Sequence, residues 1–98
     1  MAMFVVLRRQ AGPDWDQAHP MEEQSRWREH AAFMDRLVDE GFIVLGGPIA
    51  GGPRVMIVVE AGSEDDARET LARDPWSDSH LLLDSIEPWT IRLDGRTA

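Results

Sequence analysis

Three runs of consecutive apolar residues, Phe4-Val5-Val6-Leu7, Phe42-Ile43-Val44-Leu45 and Val55-Met56-Ile57-Val58-Val59, constrain this chain more than any other feature. Successive residues of a strand face opposite sides of its sheet, so a strand with one wet face alternates. One that is apolar at every position requires cover on both faces. The rest of the chain supplies only two helices to provide it.

Read in order, Met3 to Arg9 is a strand that ends in the turn residues Gln10-Ala11-Gly12-Pro13-Asp14. Asp14 to Pro20 is a loop carrying Trp15 and His19, and an amphipathic pattern from Met21 to Glu40 predicts a long helix stopped by Gly41. Phe42 to Leu45 is the second strand and runs into a Gly46-Gly47-Pro48 loop, while Arg54 to Glu60 is the third. Ser63 with Asp66 caps a second helix over Glu64 to Arg73, which Pro75 ends. A loop with Trp76 and Leu81-Leu82-Leu83 leads to a last strand over Ile86 to Leu93, whose Pro88 suits an edge or a bulge, and Asp94 to Ala98 is a frayed tail. This is the βαββαβ order of a ferredoxin-like α+β domain, a four-stranded antiparallel sheet with two helices on one face. Ninety-eight residues make one domain, over residues 1 to 98. The simplest cover for the helix-free face is a second copy of the sheet, so the expected state is a homodimer packed sheet to sheet. The alternative is a monomer whose second face is covered by Leu81 to Leu83 and the tryptophans.

Eighteen acidic residues against ten basic ones leave a formal charge of −8, which argues against nucleic acid or an anionic membrane as partner. All ten basic residues are arginine. There is no cysteine, so disulfides and thiolate chemistry are excluded, in keeping with a cytoplasmic location. No apolar run approaches the roughly 18 residues that span a bilayer, and Met1 to Arg8 lacks the basic leader of a signal peptide.

The residue that points toward chemistry is His30. At helical spacing it shares a stripe with Trp27, Ala31, Met34, Leu37 and Val38, so its imidazole faces the interior or a pocket in it. Asp74 falls on the face of Ala67, Thr70 and Leu71 at the end of the second helix, where the helix dipole already places partial negative charge and a carboxylate needs a cation or donors. An imidazole would meet that need, and the carboxylate would fix which ring nitrogen carries the proton, leaving the other as a general base. The competing reading is structural: a core histidine on a backbone hydrogen bond, and an Asp closing its own turn before Pro75. His30 in mid-helix and Asp74 at a helix end also need not meet within one subunit.

The remaining candidates are weaker. His19 and His80 have carboxylates nearby, including Asp16, Asp78 and Asp84, but not at the spacing of a preformed site, so no metal is expected. Trp15 and Trp76, on loops, are candidate pocket walls, whereas Trp27 and Trp89 read as core. The Gly46-Gly47-Pro48 loop lacks the residues of a phosphate cradle, although a Gly47 N–H would suit an oxyanion. Arg28 and Arg54 are the nearest anion anchors, though solvated charge is the commoner use of both.

Taken together, His30, Gly41, Gly46-Gly47-Pro48, Asp74-Pro75-Trp76 and Ile86-Glu87-Pro88-Trp89-Thr90-Ile91 resemble the YCII-related (YciI-like) family over most of the chain. The resemblance implies the dimeric α+β barrel fold, a homodimer with clefts near the helix-sheet junctions, and a His and Asp site that falls on His30 and Asp74. One related branch acts as a dehydrochlorinase on chlorinated hydroxyquinols. The family often has Phe or Tyr after Asp-Pro, where this chain has Trp76.

The function expected from these residues is a cofactor-free enzyme of lyase or isomerase type. His30 removes a proton, or drives dehydrochlorination, on a small aromatic or enolisable substrate, anionic or phenolic, held near Gly47, Pro48, Trp76 and Trp15, with Asp74 orienting the base. The alternatives are a small-molecule-binding module without chemistry and a cofactor-free oxygenase of the dimeric barrel group.

Overall fold

A computed structural model describes residues 1–96. Its elements are β1 (Ala2–Gln10), a 3-10 turn (Met21–Glu23), α1 (Trp27–Asp39), β2 (Ile43–Pro48), β3 (Arg54–Ala61), α2 (Glu64–Ala72) and β4 (Leu81–Pro88). All pairings are antiparallel in the order β2-β3-β1-β4, the ferredoxin-like arrangement, with β2 and β4 at the edges. No helix is long and apolar enough to cross a membrane among the described residues.

Phe4, Val6 and Arg8 of β1 pair with Val59, Ile57 and Val55 of β3, and all six are buried. With Phe33 and Leu37 of α1 and Ala67 and Leu71 of α2 they build the core between the sheet and the helices. On the other face Val5 and Leu7 are half-buried and Val58 is buried, while Leu45 (55 % exposed) and Met56 (37 %) are open. Trp89 N–H donates to the Met3 carbonyl at 2.9 Å, and the segment that follows runs alongside Met3, Leu45 and Val58. The second face therefore has partial cover from the C-terminal segment, not from Leu81 to Leu83.

Four boundaries differ from the sequence reading, each for a physical reason. The long helix is broken: Gln24 leaves helical geometry and Arg26 adopts a left-handed φ of 62°, so Met21–Glu23 is a separate turn. The buried Gln24 amide explains the break, since it ties down the preceding loop with three bonds: Nε2 donates to the Asp16 and His19 carbonyls, and Oε1 accepts from Asp16 N–H. Gly46-Gly47-Pro48 is not a loop but the end of β2, paired with Ile57, Met56 and Val55. The chain turns later, where Ala50, Gly51 and Gly52 hold the positive φ angles. Leu81-Leu82-Leu83 opens β4, which pairs with Gln10, Arg9 and Arg8 and ends at Pro88, so the expected strand over Ile86 to Leu93 starts and ends five residues too late. A register shift between Leu7 and Arg8 accommodates the longer pairing. In the predicted tail, Asp94 and Arg96 form an ion pair at 2.7 Å, and positions 97–98 lie outside the described residues.

Candidate functional site

The sequence stripe on α1 divides in two. His30 and Leu37 are buried together with Phe33, which the stripe omitted, whereas Trp27, Ala31, Met34 and Val38 face a cavity. That cavity, of about 410 Å³, lies between α1 and β2, with Val55, Ile57 and Leu81 also lining it. His30, Gly47 and Pro48 belong to its wall.

His30 and Asp74 meet within one subunit. Nδ1 of His30 lies 2.8 and 2.9 Å from the two Asp74 carboxylate oxygens, and both side chains are almost completely buried. A carboxylate accepts only, so the proton between them belongs on Nδ1 and the neutral ring keeps Nε2 as its basic nitrogen. Nε2 has no hydrogen-bond partner within the described residues, and no buried side-chain polar atom there is left unsatisfied. Nε2 is therefore reached from outside, on the side where His30 lines the cavity.

Asp74 does more than hold His30. Its Oδ1 accepts from Trp76 N–H at 2.9 Å, the turn that the competing reading expected, and its Oδ2 accepts from Arg8 Nη1 at 2.9 Å. The structural and the orienting uses of this carboxylate coexist. Burial pushes the Asp74 carboxyl up, but the His30 hydrogen bond, the Trp76 N–H and the Arg8 charge outweigh it and hold the group below the usual carboxylate range. Arg8 is 1 % exposed and gives a further bond from Nη2 to the Leu81 carbonyl at 3.1 Å. Sequence reasoning missed Arg8, although a signal was present: Phe4, Val6 and Arg8 alternate, which places a guanidinium on the helix-covered face, where it must find an anion.

Trp76 is not a wall of the cavity. It is fully buried behind His30, with its ring centroid 4.1 Å from that of His30 and the planes 6° apart. The same indole stacks on His80 at 4.6 Å and 17°, and its Nε1 donates to the Ser25 carbonyl at 2.9 Å. His80 is a second buried histidine that the sequence left on an open loop, with Ser79 Oγ 2.7 Å from Nδ1 and Ser25 Oγ 3.0 Å from Nε2. Burial lowers its pKa, as does the repulsion from Arg26 and His30, against the opposing pull of Asp14 and Asp74. Trp15 packs edge-on to Trp76 at 6.1 Å and lines a separate outer cavity of about 630 Å³ that meets the first at Met21 and Pro48. His19 also borders the outer cavity and pairs with Asp16 at 2.9 Å on the surface. Arg28 and Arg54 are exposed, and neither lines the cavity at His30.

The chain matches no family model, no curated protein and no solved structure.

Proposed function

We propose that the protein is a cofactor-free enzyme in which His30 Nε2 takes a proton from a small aromatic or enolisable substrate in the adjacent cavity. The observation that carries this reading is the asymmetry of the imidazole: Nδ1 is clamped by Asp74, while Nε2 opens onto an apolar chamber. An imidazole nitrogen with a free lone pair can accept a proton from a substrate placed against it. As the C–H or O–H bond breaks, its electron pair stays on the substrate as an enolate or a phenolate; in a dehydrochlorination the C–H pair instead forms a new C=C bond as chloride departs. The proton rests on Nε2, and the imidazolium so formed stays bonded to the Asp74 carboxylate, which does not itself take the proton. The resemblance to YCII-related proteins belongs to the same proposal. So does a homodimer through the helix-free face, supported by the exposure of Leu45 and Met56 there; light scattering should return twice the chain mass.

A binding module without chemistry is the second reading. It is favoured by Arg8, whose buried ion pair with Asp74 gives the carboxylate a structural use that needs no chemistry. The test is turnover of a panel of enolisable and phenolic compounds, chlorinated hydroxyquinols among them, by the wild type and by His30→Gln. The enzyme reading expects the substitution to lower turnover roughly 10² to 10⁴-fold without unfolding the chain. Turnover that survives the substitution removes His30 from the chemistry. Ligand affinity without turnover in either protein selects the binding module.

A further inference from the structure

We propose that the cavity at His30 selects an uncharged, largely apolar molecule and discriminates against anions, an inference that rests on the assignment of this cavity as the substrate site. Among the residues lining it, the only ionisable side chains are His30 and Asp35. The others that define its shape, Trp27, Met34, Val38, Ile43 and Ile57, are apolar.

An anion entering this chamber gives up part of its hydration and meets no fixed cation in return. Transfer of an unpaired carboxylate into apolar surroundings is among the most unfavourable steps in protein chemistry. The cations near the site are committed elsewhere. Arg8 lies behind the histidine, 2.9 Å from Asp74, and Arg28 and Arg54 are exposed and do not line the chamber. Asp35 is exposed on the rim and presents negative charge to an approaching ligand, on a chain whose formal charge is already −8. A neutral acid avoids both penalties. It enters without charge, and the negative charge appears only when its proton moves to Nε2, next to the imidazolium created in the same step. The anionic substrates considered from sequence are thus disfavoured, and the phenolic or enolisable ones in their neutral form remain.

A matched pair of fluorescent probes isolates the charge. N-phenyl-1-naphthylamine is neutral, and 1-anilinonaphthalene-8-sulfonate carries the same ring system with one sulfonate added. Titrated at pH 8, the amine should bind at least roughly tenfold more tightly than the sulfonate. Ala31→Trp, which fills the chamber from α1, should abolish binding of the amine and so separate the chamber from the exposed sheet face. Equal or tighter binding of the sulfonate, or undiminished binding of the amine by a folded Ala31→Trp protein, overturns the inference. His30→Gln should keep the preference for the amine. Its turnover reports on the base independently, so loss of the charge preference and loss of the catalytic reading are separate outcomes.

Discussion

Two histidines stack on one tryptophan, and the protein treats them differently. His80 has a serine hydroxyl on each ring nitrogen, at 2.7 and 3.0 Å, so its hydrogen-bonding capacity is spent inside the fold. His30 is held just as firmly, but through one nitrogen only, and the other opens onto a cavity. Burial alone therefore does not mark a histidine for chemistry, because both are at least 95 % buried by exposures of 0 % and 5 %. What distinguishes them is the nitrogen left over. The partners differ as well: neutral hydroxyls stabilise a neutral ring, whereas a carboxylate can stabilise an imidazolium formed in a reaction.

The most disruptive way to break the His30 side is to remove its anchor. Asp74→Ala leaves Arg8 charged and unpaired in the core and frees the Trp76 N–H, so the fold should lose about 3–5 kcal/mol, measured by urea unfolding. A change near zero would mean that Arg8 reaches water and that the Arg8, Asp74 and His30 cluster is not a structural unit. On the His80 side the weak point is backbone. Gly12 has φ +118°, and a Cβ there would lie 2.6 Å from the Ser79 carbonyl oxygen, beside the hydroxyl that holds His80. Gly12→Ala should cost about 1–3 kcal/mol in the same assay while leaving the cavity at His30 able to bind its ligand. Joint loss of stability and of binding would show that the two sides of Trp76 are not independent.

Acid sharpens the comparison with a smaller effect. Because the folded-state pKa of His80 is depressed, its contribution to stability is fully present above the unfolded value of about 6.5 and is lost as pH falls through the folded value. Asp74, also depressed, adds its loss only at lower pH, below the unfolded carboxylate value of about 3.9. Urea midpoints followed downward from pH 8 should fall first in the His80 range. A His80→Asn protein should start lower but fall less between pH 6.5 and the carboxylate range. Parallel curves for the two proteins would remove His80 as the source.

What could be read from the sequence follows the range of the interactions involved. The strand patterns, the cap at Ser63 and the stop at Pro75 are local, and the ferredoxin-like topology follows from their order. His30 and Asp74 were legible because each is a polar group on an apolar helical face, an anomaly that needs only 3.6-residue periodicity to detect. Arg8 was hidden inside an apparently apolar run, where its alternation with Phe4 and Val6 was the available signal. His80 was harder still: Ser25 is 55 positions away, and nothing local reveals a ring enclosed by Ser25, Ser79 and Trp76. The break before α1 depends on Gln24, whose amide bonds a loop that periodicity cannot see.

The proton on His30 is the central claim, and long-range ¹H–¹⁵N NMR of the imidazole nitrogens reads it directly. At pH 8 the account predicts a neutral His30 ring with the proton on Nδ1, facing Asp74, and a bare Nε2. A proton found on Nε2 with Nδ1 bare would contradict it, because the carboxylate would then hold no histidine proton and the nitrogen facing the cavity would have no lone pair with which to act as a base.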